Sequence, residues 1–204
     1  MEQSLPTNSE VKQRQQRGRW KLFVVIAICA SPLFASYFTY YVIKPEQRTN
    51  YGTLIDPRQH PIPELHAKKM DGSATSLEQY RGKWIMLQVA PAECDAACNK
   101  RLHDMRQLRL AQGKDMDRIE RVWLITDKEP VETLLMREYD GTHLLRVDPA
   151  ALRAWLPTEQ GGVPSNHIYM IDPLGNLMMR FPKDADPNRI KRDLSRLLKA
   201  SRIG

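Results

Sequence analysis

The chain has 204 residues, of which 42% are hydrophobic and 27% are charged. This composition suffices for one ordinary domain with a core, and it excludes a wholly disordered chain, a collagen and a small scaffold stapled by disulfides. The net charge of +7 divides into +3 for residues 1–43 and +4 for the rest of the chain. Because no concentrated basic patch results, we expect no nucleic-acid partner.

A run of 22 residues without a charge, residues 22–43, is the first feature in chain order. About 20 apolar residues span a bilayer core, so the run predicts a transmembrane helix. Five basic residues precede the run within residues 1–21. Positive charge beside a span predicts that residues 1–21 form a cytoplasmic tail, which puts the rest of a bacterial chain in the periplasm, on a single-pass anchor in the inner membrane.

Two alternatives to an uncleaved anchor remain open. A signal peptide would have an apolar run of only about 7–15 residues before an A-x-A-like cleavage site, and neither feature is present here. A lipoprotein attached through Cys29 would need a small residue where Ile28 stands. The uncleaved anchor is therefore the preferred interpretation.

The segment after the span, residues 44–63, contains four prolines. Each proline disfavours helix in the residue before it, so this segment is predicted to be an extended stalk. The polar residues 1–21 are predicted to be disordered. The remainder, residues 64–204, is predicted to be the folded domain.

Apolar runs and turn signals alternate along this domain. A hairpin is predicted over residues 64–76, closing at Asp71-Gly72. Strands are predicted at residues 84–90, 121–126, 144–147, 167–171 and 177–181. Helices are predicted at residues 95–112, 131–139, 149–155 and 186–200. This order predicts an α/β domain, and a strand that leads directly into a cysteine pair at a helix start narrows it to a thioredoxin-like fold.

The cysteine pair Cys94 and Cys98 is the strongest chemical signal. Residues four apart lie on one helix face, so the two sulfurs can converge on a metal or form a disulfide. The helix N-terminus favours the thiolate, which is both the nucleophile and the metal ligand, whereas the neighbouring Glu93 and Asp95 oppose it. Two thiolates suit either Cu(I) or thiol–disulfide exchange, and both remain open at this point.

His167 is the candidate third ligand. It follows a Gly- and Pro-containing loop and starts the strand before the closing hairpin, and in thioredoxin-like folds that loop faces the cysteine loop. An imidazole added to two thiolates would give a three-coordinate copper site. The alternative is a histidine at a strand end that bonds only to backbone.

Taken together, these residues resemble the Sco/SenC family of membrane-anchored, thioredoxin-like copper proteins. The segments that carry the resemblance are Asp71-Gly72, Arg81-Gly82-Lys83-Trp84, Cys94-x₃-Cys98, Thr126 to Pro130, and His167 to Gly175. The resemblance implies Cu(I) or Cu(II) held by Cys94, Cys98 and His167. It also implies assembly of the copper centre of cytochrome c oxidase subunit II, or of another membrane-bound copper oxidase.

The chain departs from the family pattern in three places. Asp95 stands where the family usually has proline, and Ala90-Pro91-Ala92-Glu93 replaces the aromatic residues usual before the motif. The most important departure is at the histidine. Counting back from Gly175 without a gap puts the family's histidine position at Pro164, and a shift of three residues restores His167. Pro164 is alternatively the cis proline that ordinary thioredoxin-like oxidoreductases carry beside their cysteines.

Three functions follow from these observations. The first is a copper-delivering metallochaperone. The second is an enzyme, a periplasmic thiol–disulfide oxidoreductase that uses Cys94 and Cys98 as its catalytic residues and acts on oxidase cysteines without binding copper. The third is a non-catalytic interaction module in which the cysteines have no chemical role.

Overall fold

A computed structural model describes residues 8–39, 41, 50–201 and 203. The chain divides into two compact units, Met1–Thr49 and Asn50–Gly204, and each is described by itself.

The described residues of the first unit form one long helix, α1 (Asn8–Phe38). Its segment Trp20–Phe38, 19 residues with a mean hydropathy of 1.8, is long and apolar enough to cross a membrane. The last residues of the predicted span, 42 and 43, lie outside the described residues. The prediction of disorder before the span is wrong from Asn8 onward, because the Gln, Lys and Arg residues there have high helix propensity and continue the helix.

Pro32 lies inside α1 and has no N–H to donate to the carbonyl of Ile28, four residues earlier. The hydroxyl of Ser31 donates to that carbonyl at 2.9 Å. A side chain thus satisfies the acceptor that Pro32 leaves free, which is how membrane helices tolerate proline.

The second unit is built on one seven-stranded sheet with the order β1-β7-β6-β3-β4-β5-β2. The strands are β1 (Thr53–Leu54), β2 (Lys68–Lys69), β3 (Trp84–Ala90), β4 (Ile119–Ile125), β5 (Thr142–Arg146), β6 (Ile168–Ile171) and β7 (Leu177–Arg180). The remaining helices are α2 (Ala96–Leu110), α3 (Thr133–Glu138), α4 (Pro149–Trp155) and α5 (Pro187–Ala200). The elements predicted from residue 84 onward are all present, with ends within two residues of those predicted.

Strand β3 lies at the centre and is buried along its whole length. It runs parallel to β4 and antiparallel to β6. Helices cover both faces of the sheet. On one face, Met86 of β3 belongs to a core cluster with Met105 of α2 and Leu194 of α5. On the other face, Leu87 belongs to a cluster with Trp155 of α4. The predicted α/β, thioredoxin-like fold class is confirmed.

The structure differs from the sequence prediction at the proposed stalk. Residues 44–49 lie outside the described residues, but the folded unit begins at Asn50, not at residue 64. The short strand β1 pairs with β7, and Ile62 is buried. The backbone N–H groups of Tyr51 and Gly52 donate to the buried carboxylate of Asp193 at 2.7 and 2.9 Å. The extended conformation that prolines favour also suits an edge strand, which is why the two cases look alike in sequence.

Candidate functional site

The two cysteines lie where the central strand passes into a helix. Strand β3 ends at Ala90 and α2 begins at Ala96. Cys94 is partly exposed in the connecting loop, whereas Cys98 is 1% exposed in the first turn of the helix. Cys94 is therefore the more exposed residue of the pair.

Cys94 and Cys98 form a disulfide with their Cα atoms 5.3 Å apart. This separation lies within the usual range for a disulfide. The structure thus brings the two predicted site cysteines together in an oxidised pair. In the reduced state the same two sulfurs would form a pair of soft donors a short distance apart.

Asp95 caps the N-terminus of α2. Its backbone is extended and its Oδ1 accepts from the N–H of Cys98 at 2.7 Å. An aspartate here satisfies one of the free N–H groups at the helix start and places a negative charge where the helix dipole favours it. Asp95 therefore has a structural role beside the buried cysteine.

Gln88 of the central strand contacts the disulfide, and it was not among the site residues predicted from the sequence. It is fully buried in β3, and its Nε2 donates to Cys98 Sγ at 3.1 Å and to the Cys98 carbonyl at 3.4 Å. Its Oε1 has no hydrogen-bond partner among the described residues. The available signal was one amide in the otherwise apolar run of β3, ten residues before Cys98.

Asp127 holds the other end of the cysteine loop. Both oxygens of its carboxylate lie 3.1–3.2 Å from the N–H of Ala92, a buried residue two positions before Cys94. Arg146 donates to the carbonyl of Asp127 at 2.8 Å and so supports the segment that carries the carboxylate. Asp127, which lies in the segment Thr126 to Pro130 of the family resemblance, thus holds the loop that leads to Cys94.

His167 occupies a different environment. It is 1% exposed, and its Nδ1 donates to the carbonyl of Phe181 at 2.9 Å. Its Nε2 has no hydrogen-bond partner among the described residues and faces the backbone of Gly162, where an added Cβ would lie 3.6 Å away. Burial lowers the pKa of His167, the bond to the Phe181 carbonyl opposes this shift, and nearby Arg180 adds to it.

The described residues contain no group of three or more His, Cys, Asp or Glu side chains that could hold a metal ion. In this oxidised state, His167 does not form a three-ligand group with Cys94 and Cys98 among the described residues, and the ligand set of the reduced protein stays a prediction. The alternative interpretation of Pro164 as a cis proline beside the cysteines is wrong, because the described residues contain no cis peptide bond. The two sulfurs fit a soft metal ion, while His167 is bonded through Nδ1 to Phe181 and its Nε2 has no hydrogen-bond partner among the described residues.

The match to a family model identifies the class of protein. Residues 84–201, more than half of the chain, match the family described as "Transmembrane-like, thioredoxin-like, C-terminal domain". The chain belongs to this family. No curated protein matches the chain.

Similar solved structures include proteins of two kinds. Yeast Sco1 is 13% identical with a TM-score of 0.56, covering 70% of this chain and 96% of that one. Arabidopsis thaliana ScoI with copper bound is 15% identical with a TM-score of 0.53, covering 69% and 99%. The thioredoxin domain of a thiol-disulfide oxidoreductase from Bacteroides vulgatus is 19% identical with a TM-score of 0.50, covering 68% and 95%.

These likenesses show the fold, and they confirm the predicted resemblance to Sco proteins at that level. The chain has the thioredoxin-like fold that copper-binding Sco proteins share with thiol–disulfide oxidoreductases.

Proposed function

We propose that the chain is a membrane-anchored thiol–disulfide exchange protein whose working centre is Cys94–Cys98. The observation that carries the proposal is the unequal exposure of two bonded cysteines at a strand-to-helix junction: Cys94 is partly exposed and Cys98 is buried. An exposed sulfur is available to a client, and a buried partner can resolve the mixed disulfide.

The exchange proceeds in two steps. The Cys94 thiolate attacks a client disulfide, forms a mixed disulfide and releases one client sulfur as a thiolate. Cys98 then attacks Cys94 Sγ, which forms the Cys94–Cys98 disulfide and releases the second client thiolate. Two electrons pass to the client, whose two thiolates take up the protons that Cys94 and Cys98 lose to solvent. A dithiol reductant restores the pair.

The experiment uses the full chain in detergent micelles, with Cys29→Ser in every variant so that Cys94 and Cys98 are the only cysteines. On addition of glutathione disulfide, Cys98→Ser accumulates a mixed disulfide at Cys94, detected by mass spectrometry. Cys94→Ser forms about tenfold less, because its remaining thiol is buried. Equal reaction of the two variants, or no reaction in either, would refute the exchange mechanism and favour the non-catalytic module.

A second candidate function is copper delivery, favoured by the meeting of two soft donors at C-x₃-C spacing in a Sco-like fold. The reduced cysteines would bind Cu(I) as cargo and pass it to cytochrome c oxidase subunit II or another membrane-bound copper oxidase. The same client gives the exchange function a substrate, namely the cysteines of the oxidase copper site. An anchor in the client's membrane would raise the local concentration of both proteins.

Anaerobic titration of the reduced full chain with Cu(I) against a competing chelator tests this candidate. One equivalent bound tightly by the Cys29→Ser chain, and lost with either Cys94→Ser or Cys98→Ser, would support it. His167→Ala decides the third ligand, with His103→Ala, an exposed histidine on α2, as the matched control. Weaker binding in His167→Ala alone would show that the imidazole joins the site by rearrangement.

The orientation of the anchor is part of the proposal. The basic residues before the span favour a cytoplasmic N-terminus and a periplasmic domain in the bacterial inner membrane. A C-terminal fusion to alkaline phosphatase, which is active only in the periplasm, is expected to be active. A matched fusion to a fluorescent protein that folds only in the cytoplasm is expected to be dark.

A further inference from the structure

The buried amide of Gln88 contacts the buried sulfur of the disulfide, Cys98 Sγ. Gln88 is 0% exposed and stands in a strand whose other residues are apolar. A buried amide costs free energy unless its groups are hydrogen-bonded. Here both hydrogen bonds of the amide go to Cys98, one to Sγ at 3.1 Å and one to the carbonyl at 3.4 Å.

The direction of these bonds restricts what the amide can do. The Nε2 group donates to sulfur, and an amide neither gains nor loses a proton in the physiological range. Gln88 therefore does not act as a general base toward Cys98. An N–H donor aimed at sulfur holds that sulfur in place and interacts more strongly with it when it carries negative charge. Cys98 attacks Cys94 as a thiolate in the second step of the proposed exchange.

The same bonds distinguish the two cysteines. Cys98 Sγ is held by Gln88, and the Cys98 N–H is held by Asp95 at 2.7 Å. Among the described contacts, no side chain donates a hydrogen bond to Cys94 Sγ. The carbonyl of Cys94 accepts from Asn99 Nδ2 at 3.3 Å. Cys98 Sγ is held in the interior, and Cys94 Sγ is the sulfur that can bond to a client.

We propose that Gln88 is a positioning residue for the second step of exchange: its amide holds Cys98 Sγ where it can attack the Cys94 mixed disulfide. This inference rests on the proposed exchange function. In the step concerned, the Cys98–Cys94 sulfur bond forms and the Cys94–client sulfur bond breaks. The client sulfur leaves as a thiolate and takes a proton from solvent, and the proton of the Cys98 thiol has already passed to solvent.

The test separates the two steps in the full chain, again in micelles and with Cys29→Ser. Reduced protein is mixed with glutathione disulfide, quenched with acid at successive times and analysed by mass spectrometry for the mixed and internal disulfides. In Gln88→Met, an unbranched apolar residue of similar length replaces the amide. Its second step is expected to slow about tenfold while its first step stays within about twofold, so the mixed disulfide accumulates.

Met86→Leu is the matched control, because Met86 is equally buried two residues earlier on the same face of β3. A general loosening of the core would affect this variant too, and we expect both of its steps to stay within about twofold of the parent. A Gln88→Met variant that resolves the mixed disulfide at the parent rate, or that slows both steps equally, would overturn the inference.

A second measurement covers the case in which Gln88→Met fails to fold, and it needs no variant of Gln88. With glutamine side chains labelled with ¹⁵N, the side-chain amide signal of Gln88 is expected to shift when the disulfide is reduced, because its bonding partner changes. No shift of any glutamine side-chain signal on reduction would overturn the inference. Failure of the parent chain to form either disulfide with glutathione would refute the exchange function, and the inference with it.

Discussion

The junction of β3 and α2, which carries Cys94 and Cys98, and His167, which was expected to join these cysteines, have contrasting surroundings. At the junction, Cys94 and Cys98 are four residues apart and Asp95 caps the helix turn between them, while Asp127 accepts from the N–H of Ala92, 35 residues away along the chain. His167 is bonded to the carbonyl of Phe181, fourteen residues away, and faces the backbone of Gly162. One region presents sulfur to solvent, whereas the other encloses its imidazole.

The contrast shows that chemical type alone does not assign a residue to a site. A histidine at the start of a strand can bind a metal or bond to backbone. Here the carbonyl of Phe181, at the end of the neighbouring strand, accepts a hydrogen bond from His167 and fixes the ring there. Asp127, a carboxylate that could also be considered reactive, accepts from the N–H of Ala92 and so shapes the cysteine loop. If the two regions are separate in energy and in chemistry, a substitution in one should leave the properties of the other unchanged.

Replacing His167 with alanine gives the largest expected effect on stability. His167→Ala removes a buried ring and its bond to Phe181, so the free energy of unfolding should fall by about 3 kcal/mol. The equilibrium constant of the Cys94–Cys98 pair with glutathione should change less than about twofold. Chemical unfolding and a glutathione titration measure the two quantities.

The matched control for this variant is His143→Ala. His143 is part-buried on β5, where its Nε2 lies 3.0 Å from Glu120, and its removal should cost less than about 1 kcal/mol. A tenfold shift in the glutathione equilibrium of His167→Ala would contradict the separation and place the imidazole in the cysteine centre.

Asp127→Ala is expected to have a smaller effect, confined to the cysteine loop. It leaves the buried N–H of Ala92 without its charged acceptor, so the free energy of unfolding should fall by about 2 kcal/mol. Amide hydrogen exchange at Ala92 should become faster, as mass spectrometry or NMR would show. Asp127→Asn keeps an oxygen acceptor and should recover most of the loss; equal loss in both variants would mean that the contact is not the cause.

Asp95→Ala tests the helix cap beside Cys98. Loss of an N-cap side chain should lower the free energy of unfolding by about 1 kcal/mol. Asp95→Ser retains an oxygen that can accept from the Cys98 N–H, so it should unfold close to the parent. If Asp95→Ser lost as much stability as Asp95→Ala, the charge of Asp95 and not its hydrogen bond would be responsible.

Much of the fold could be predicted from the sequence because its strands and helices are locally strong. The apolar run of β3 and the turn at Asp71-Gly72, where Gly72 has a φ of +84°, need no distant information. The prediction that the folded domain begins only after a stalk was wrong, because the burial of Ile62 depends on a distant part of the chain. The N–H of Ile62 donates to the carbonyl of Gly175 at 2.9 Å. No local pattern distinguishes a proline-rich linker from a proline-rich edge segment.

In the site, too, features set by local sequence could be predicted and features set by distant contacts could not. Cys94 and Cys98 were recognisable from spacing and from their place after a buried strand, and the structure joins them. Gln88 was not selected, because a single amide in an apolar strand signals burial without naming its partner. The bond of His167 to Phe181 crosses between the ends of two strands, so only the three-dimensional structure assigns its role.

The smallest expected effect is the pH dependence of stability that His167 contributes. Burial lowers the pKa of His167 below its ordinary value of 6.5, so the folded chain keeps the ring neutral while the unfolded chain takes up a proton. The stability contribution of the neutral ring is complete above the unfolded pKa and is lost as the pH falls through it. Between about pH 7.5 and about pH 5.5, the parent should therefore lose more stability than His167→Leu, measured by chemical unfolding in micelles.

The charged groups near the ring supply the control for this measurement. Arg180 opposes protonation of His167 and Glu159 favours it, and Arg101 of α2 adds a further opposing charge. Glu159→Gln should leave the acid loss of stability in place and deepen it slightly, because one favourable charge is removed from the protonated ring. If Glu159→Gln abolished the loss and His167→Leu did not, the carboxylate would be the titrating group and the enclosed imidazole would have no part in the pH response.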